Sequence, residues 1–337
     1  MDREQKKSTI GWYRSPLSRE VLDALNQRSD WQALLQTLGH LGLLTLTGAT
    51  AWFLASQQSY ILLILILLMH GTFYAFLLNG FHELCHKSVF KTKILNSIFL
   101  AIFSFVSFNN PVMFWTSHVE HHKYTLHPPD DQEVLLPVRL TPKDFLKSAI
   151  VNPWVLVEVW KGVIRHSLGR LKGDWENALF PASAVESRRR LFTWARILLI
   201  GHALLIVVSL YFGLWLLPVL ITLAPFYGGW LLFLCNNTQH IGLQDDVSDF
   251  RLCCRTVILN PVVSFLYWRM NYHTEHHMYA AAPCYNLAKL HAAIKDDLPP
   301  CPVGLVAAWK EINAIQAKQV LDPHYQHVAQ LPTRLAS

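Results

Sequence analysis

Charge is what this sequence has least of. Of its 337 residues only 15% are Asp, Glu, Lys or Arg, against 52% hydrophobic, whereas a soluble domain carries about 25% charged residues. That deficit excludes an ordinary water-soluble fold. Four stretches, 35–54, 61–80, 197–217 and 219–238, contain none of the four charged types. Each has roughly the 20 apolar residues that a bilayer-crossing helix needs, so each predicts a span. The first thirty residues in turn lack an apolar run, which argues against a cleavable signal peptide and leaves the first span as the targeting signal. The six cysteines form no CxxC pair, which disfavours a rubredoxin or zinc-ribbon module.

The basic residues that do occur report orientation, because cytoplasmic segments of membrane proteins are enriched in Lys and Arg. Six precede the first span, fifteen lie between the second and third, eight follow the fourth, and none lies in the connections 55–60 and 218. The expectation is an all-α, multi-pass integral membrane protein with four transmembrane helices. Both termini and a helical cap would then be cytoplasmic, with the cysteines reduced. The net charge of +6 then reflects topology and contact with anionic lipid, and nucleic-acid binding has no support.

One integrated domain, 1–337, is expected: an N-terminal cytoplasmic segment 1–34, spans one and two within 35–80, a cytoplasmic and interfacial region 81–196, spans three and four within 197–238, and a cap 239–337. The apolar run 94–108 gives only about 22 Å of helix at 1.5 Å per residue, short of the roughly 30 Å hydrocarbon core. It is read as lying at the interface or dipping in and returning. Residues 143–190 fit either amphipathic helices on the membrane surface or a packed cytosolic cap. Two cap helices are expected over 286–300 and 303–321.

Histidine is present in quantity, and its placement is the informative feature. Eight of 17 histidines fall in three clusters: His82 and His86 in HELCH; His118, His121 and His122 in HVEHH; His273, His276 and His277 in HTEHH. All use spacings of three and four, which put side chains on one helix face. The expected topology places all three on the cytoplasmic side, where they can converge. Eight imidazoles exceed what one tetrahedral metal needs and suit two metals with several nitrogen ligands each. His240 in NNTQH, with Asn236 four residues earlier, is a ninth candidate, since polar groups at the end of an apolar span tend to be functional. His40, His70 and His202 read as interhelical hydrogen-bonding groups. His127 is read as orienting substrate or a ligand, and His166, His291, His324 and His327 as surface residues.

With its HxxxH, HxxHH and HxxHH boxes between apolar spans, the chain resembles the membrane fatty acid desaturase and hydroxylase superfamily over about residues 35 to 300. The resemblance implies a non-haem di-iron centre held by the box histidines with Asn236 and His240 as further ligands. It also implies dioxygen as co-substrate and an acyl lipid or fatty acid as substrate. Electrons would come from a separate ferredoxin- or cytochrome-type donor with its reductase, because no His-Pro-Gly-Gly haem signature is present. Desaturation is the first expectation, with lipid hydroxylation or oxidative decarboxylation at the same centre as alternatives.

Around the boxes, Glu83, Glu120, Asp130, Asp131 and Glu275 are candidates to accept the other imidazole N–H and fix ring orientation. Trp115, Trp268 and Tyr272 are candidates to line a substrate tunnel. The rival from another class is a membrane zinc hydrolase, because HELCH is itself an HExxH motif. It leaves HVEHH and HTEHH unexplained.

Overall fold

A computed structural model describes residues 9–333 of the chain. Among the described residues there are seventeen α-helices and no β-strand beyond isolated bridges. A short helix α1 (Arg19–Leu25) leads into the long apolar helices α2 (Asp30–Ser56) and α3 (Tyr60–Ala75), which pack side by side; α3 continues into α4 (Leu77–Cys85). Ser29 starts α2 by accepting a hydrogen bond from the Gln32 amide, the usual way of satisfying a free donor at a helix start.

Helices α5 (Lys93–Val106) and α6 (Pro111–Tyr124) follow, then α7 (Pro142–Ala149), α8 (Pro153–Ser167), α9 (Gly173–Leu179) and the long apolar α10 (Val185–Tyr211). The remainder is built from short pieces, α11 (Leu216–Leu220), α12 (Trp230–Asn236), α13 (Phe250–Cys253), α14 (Pro261–Leu266), α15 (His273–Met278) and α16 (Leu287–Ile294), closed by α17 (Leu305–Leu321). The last two fall within the stretches 286–300 and 303–321 where helices are expected, α16 covering only the first part of its stretch.

Three helical stretches are long and apolar enough to cross a membrane: Asp30–Ser56, Tyr60–Cys85 and Val185–Tyr211. The expected fourth span, 219–238, is not one helix. It is divided among α11, a 3-10 turn at Ala224–Phe226 and α12. Pro225 sits in the first turn of the 3-10 element, and Gly228 adopts φ +68°, where an added Cβ would lie 2.6 Å from the Leu68 carbonyl. Proline removes a backbone donor and left-handed glycine ends a helix, so composition satisfied the length rule while these residues broke the rod. The run 94–108 forms α5 and then turns by 103° into α6, a bent pair that counts as a fourth candidate only if taken as one span.

The breaks are held by the three histidines inside the spans. His40 Nε2 bonds the Phe73 carbonyl at 2.9 Å, His70 Nε2 the Leu220 carbonyl at 3.0 Å, and His202 Nε2 the Phe105 carbonyl at 2.9 Å. Each of these carbonyls lies in the last turn of a helix; those of Phe73 and Phe105 also accept the Phe76 and Phe108 amides, at 3.2 and 3.1 Å. In an apolar surround donors are scarce, and the buried imidazoles supply one to each carbonyl.

Candidate metal centre

The histidine boxes occupy the ends of short helices. His82 lies on α4 and His86 caps it; His118, His121 and His122 lie on α6; His273, His276 and His277 lie on α15; His240 follows α12. Close packing sets α4 in place: at Gly80 an added Cβ would meet Phe103 at 2.4 Å and Trp268 at 2.6 Å, so only glycine allows this approach. Lys87 and Leu126, just past the first two boxes, and Trp268 and Arg269, just before the third, all have positive φ. Non-glycine residues in that region cost about 1–3 kcal/mol each and concentrate at functional sites.

Nine imidazoles form two groups. His82, His86, His118, His122 and His276 offer nitrogen atoms all within 4.8 Å of one another, and His121, His240, His273 and His277 do the same. Box two is shared, with His118 and His122 in the first group and His121 in the second. Box three is shared likewise, so two adjacent sites are built from the same helices.

Hydrogen bonding at the far ring nitrogen decides which way each lone pair points. His118 Nδ1 is 2.9 Å from Glu133 Oε1, His121 Nδ1 is 2.8 Å from Asp131 Oδ2, and His240 Nδ1 is 2.8 Å from the Cys253 carbonyl. These partners accept, so Nδ1 carries the proton and Nε2 a lone pair. Thr125 gives its hydroxyl proton to the His121 carbonyl and accepts from His277 Nδ1 at 3.2 Å. The lone pairs then face one another. In the first group His82 Nε2 is 3.0 Å from His86 Nε2 and 3.1 Å from His276 Nε2, while His118 Nε2 is 3.1 Å from His86 Nε2 and 3.0 Å from His122 Nε2. In the second, His273 Nε2 is 2.9 Å from His240 Nε2 and 3.1 Å from His277 Nε2.

Protons resolve little of this crowding, since only His121 is pushed up, where burial is outweighed by the hydrogen bond to Asp131 together with the charges of Glu133 and Asp131. Burial, and after it the neighbouring imidazoles, hold His273, His276 and His277 well below the ordinary histidine pKa and push His240 down to about 3. Neutral rings with converging lone pairs are the donor set of a transition-metal cation, and two such sets fit two ions.

The surrounding candidates divide by helical phase. Asp131 is fully buried and accepts from the amides of Leu126 and Glu133 as well as from His121. Glu83 is buried with both oxygens unpartnered, 3.5 Å from His276 Nδ1, which also lacks a hydrogen bond. Glu120 instead pairs with Lys123 at 2.9 Å, and Glu275 bonds His291 Nδ1 at 2.5 Å and Thr256. Each stands two residues after a box histidine, about 200° around the helix, so each points away from the rings. Asp130 and His127 lie outside both groups, His127 with its Nδ1 on the Thr125 carbonyl.

His291 and His166 are not the surface residues expected, the latter being buried against Glu176. Glu133 was missed; its signal was its place two residues beyond Asp131 in the same acidic run. The Cys253 carbonyl and Thr125 carry no metal-site signal in their residue types.

Two cavities are lined in part from α4 and α6 or the residues that flank them. One, of about 350 Å³, is lined from α3, α4, α8 and α12 without any charged side chain, and includes Leu78 and Asn236. Leu78 stands one helical turn before His82; Asn236 stands four residues before His240, with its Oδ1 buried and unpartnered. The other, of about 610 Å³, includes His86, His122 and His277 with Trp12, Trp115, Arg14 and Lys123. Leu78 and Asn109 mark the start of α4 and α6, His86 and Lys123 their ends, so the two cavities lie at opposite ends of these helices with the imidazoles between. Trp115 borders the open, basic cavity and not the uncharged one. Trp268 borders neither: it is fully buried, and its Nε1 donates to His40. Tyr272 packs 5.2 Å from the His291 ring, outside both cavities.

A comparison with curated proteins found no match. The family model for fatty acid desaturase matches residues 58–306, which include all three boxes and His240. By that match, the chain belongs to the fatty acid desaturase family.

Proposed function

We propose that the chain is a membrane di-iron oxidoreductase that uses dioxygen and externally supplied electrons to desaturate the acyl chain of a lipid or fatty acid. The observation that carries this reading is the convergence of nine Nε2-directed imidazoles into two adjacent groups. Family membership adds acyl-chain oxidation as the class of reaction.

The five histidines of the first group would hold one iron and the four of the second the other. Asn236, the last residue of α12 and four positions before His240, has a buried side-chain oxygen with no partner and suits a further ligand. When bound, the iron pair supplies dioxygen activation and the oxidising power to remove hydrogen from an unactivated C–H bond.

The chain's own residues do the rest. Asp131, Glu133, Thr125 and the Cys253 carbonyl hold Nδ1 protons, and so keep the opposite lone pairs aimed inward. Burial of His118, His121, His240, His273, His276 and His277 keeps bulk water from the reacting region. The uncharged cavity lies at the starts of α4 and α6, while the basic, aromatic one has His86, His122 and His277 in its wall, which separates an apolar approach from a solvent-facing one. Electrons come from a separate carrier protein. Topology follows the distribution of Lys and Arg: α2 pairs with α3–α4, and α10 pairs with the broken segment from α11 to α12 as the fourth crossing, which leaves the imidazole layer and both ends of the chain on the cytoplasmic side.

The zinc hydrolase alternative treats His82 and His86 as a self-contained pair with Glu83 activating water. Both histidines instead crowd against His118 and His276, and the Glu83 carboxylate is buried beside His276. The test is product analysis by mass spectrometry in cells expressing the intact chain, with His276→Ala as control. New double bonds in acyl chains that vanish in the variant support the proposal. Hydroxylated or shortened chains move it to hydroxylation or decarboxylation at the same centre, and hydrolysis without lipid oxidation refutes it.

A further inference from the structure

The uncharged cavity reaches the surface at an unusual place. Val155 lines it and is itself 48% exposed. Around this mouth the α7–α8 connection presents Ile150 and Val151, with Trp154 beside them at 70% exposure, and α12 adds the exposed Trp230. This connection is fastened to the broken segment on the other side of the mouth. Gly228 N–H donates to the Ile150 carbonyl and Asn152 N–H to the Phe226 carbonyl, each at 3.0 Å.

The apolar side chains are therefore held in exposed positions by backbone bonds. Two asparagines in the cavity wall are turned to local use: Asn152 Oδ1 accepts from the Val155 amide and Asn237 Nδ2 donates to the Phe233 carbonyl. A contiguous exposed apolar rim belongs against another apolar phase, and α7 and α8 have the form of helices that lie in the membrane interface.

We propose that this cavity takes the hydrocarbon chain of a bilayer-resident lipid, which slides in sideways at Val155 beneath the α7–α8 hairpin instead of arriving from water on a soluble acyl carrier. A water-borne thioester carrier is strongly anionic and needs cations at the mouth of its site, yet no charged side chain lines this cavity. The cations bordering the imidazole layer, Arg14 and Lys123, belong to the opposite opening. This assignment rests on the acyl-oxidising reading and gives it a substrate form.

The test needs no metal. The intact chain is reconstituted in phosphatidylcholine nanodiscs doped with a phosphatidylcholine that carries a diazirine midway along one acyl chain. It is then illuminated and its adducts are mapped by mass spectrometry. Adducts are expected on 152–159 and 229–236. Val155→Trp, which fills the mouth, should lower them at least about tenfold, with adducts on the lipid-facing side of α2 unchanged as the sign of intact folding. Leu232→Trp fills the same cavity from α12 and replaces Val155→Trp should that variant fail to insert.

Labelling that skips both segments, or that ignores the filling substitution, overturns the proposal. So does stronger competition from a coenzyme thioester of the same acyl chain than from unlabelled bilayer lipid. Cavity adducts in a chain that oxidises no lipid would defeat the oxidase reading alone, whereas lipid oxidation without cavity adducts would defeat only the lateral route.

Discussion

The two imidazole groups come from the same boxes yet are built to different standards. In the four-membered group every ring has a partner at Nδ1: Asp131 for His121, the Cys253 carbonyl for His240, the Met270 sulfur for His273 and Thr125 for His277. All four rings are buried. In the five-membered group His118 has Glu133, but His276 faces Glu83 at 3.5 Å without a hydrogen bond, and His86 and His122 are only partly buried at the open cavity. The difference teaches that ligand count and ligand preorganisation are separate properties. The group with fewer imidazoles has them better fixed.

The sharpest way to break this comparison is to remove one ring from each group. His121→Ala and His276→Ala are both expected to take product to background while the protein remains in the membrane. Only His121→Ala breaks a hydrogen bond made by a fully buried carboxylate: Asp131 keeps the Leu126 and Glu133 amides but loses its imidazole donor, a loss that costs about 1–3 kcal/mol. Thermal unfolding of the metal-free proteins should therefore show a clearly larger loss for His121→Ala. Equal losses would mean that the groups are equally anchored.

Metal removal sharpens the same contrast. A mild chelator should take about one iron per chain early, from the group that borders the open cavity, and the second more slowly. Spacing of the two phases, followed by iron content against time, measures the difference in enclosure. A single phase releasing both irons would contradict it. Next in size are the supports. Asp131→Asn is expected to lower metal affinity by about 10–100-fold. Glu133→Gln should fall toward the smaller end, since the Glu133 side chain is 27% exposed and water can take its place, whereas that of Asp131 is fully buried.

Much of this was legible in the sequence, for physical reasons that also mark where legibility stopped. Spacings of three and four fix direction on a helix, so each box reads as one facing cluster; the split that sets His121 apart from His118 and His122, and His276 apart from His273 and His277, depends on how the helices pack and is not in the spacing. His240 and Asn236 stood out as polar groups at the end of an apolar run. Yet Asn236 ends α12 on the wall of the uncharged cavity, a placement that helical period alone does not specify. The span 219–238 met every compositional rule and still broke, because Pro225 and Gly228 act on backbone geometry and hydropathy does not register them. Partners such as the Cys253 carbonyl come from the main chain and depend on tertiary contact, which no residue type announces.

The smallest predicted effect tests the phase argument itself. HELCH, HVEHH and HTEHH each carry a glutamate, and composition treats Glu83, Glu120 and Glu275 alike. Position does not. Glu120 and Glu275 stand two residues beyond a box histidine, and their carboxylates leave for Lys123 and for His291 with Thr256. Glu83 comes from one box and faces a ring of another. Glu120→Gln removes a partner from a Lys123 side chain that is 56% exposed, an interaction of the kind that contributes about 0.2–1 kcal/mol. Turnover, iron content and unfolding temperature should all stay close to those of the parent chain. Glu83→Gln alters a buried group that faces His276, so iron retention in the five-membered group should change even where the fold holds. A Glu120→Gln variant as impaired as Glu83→Gln would show that box glutamates act irrespective of the face they occupy, and the division of carboxylates by helical phase would have to be given up.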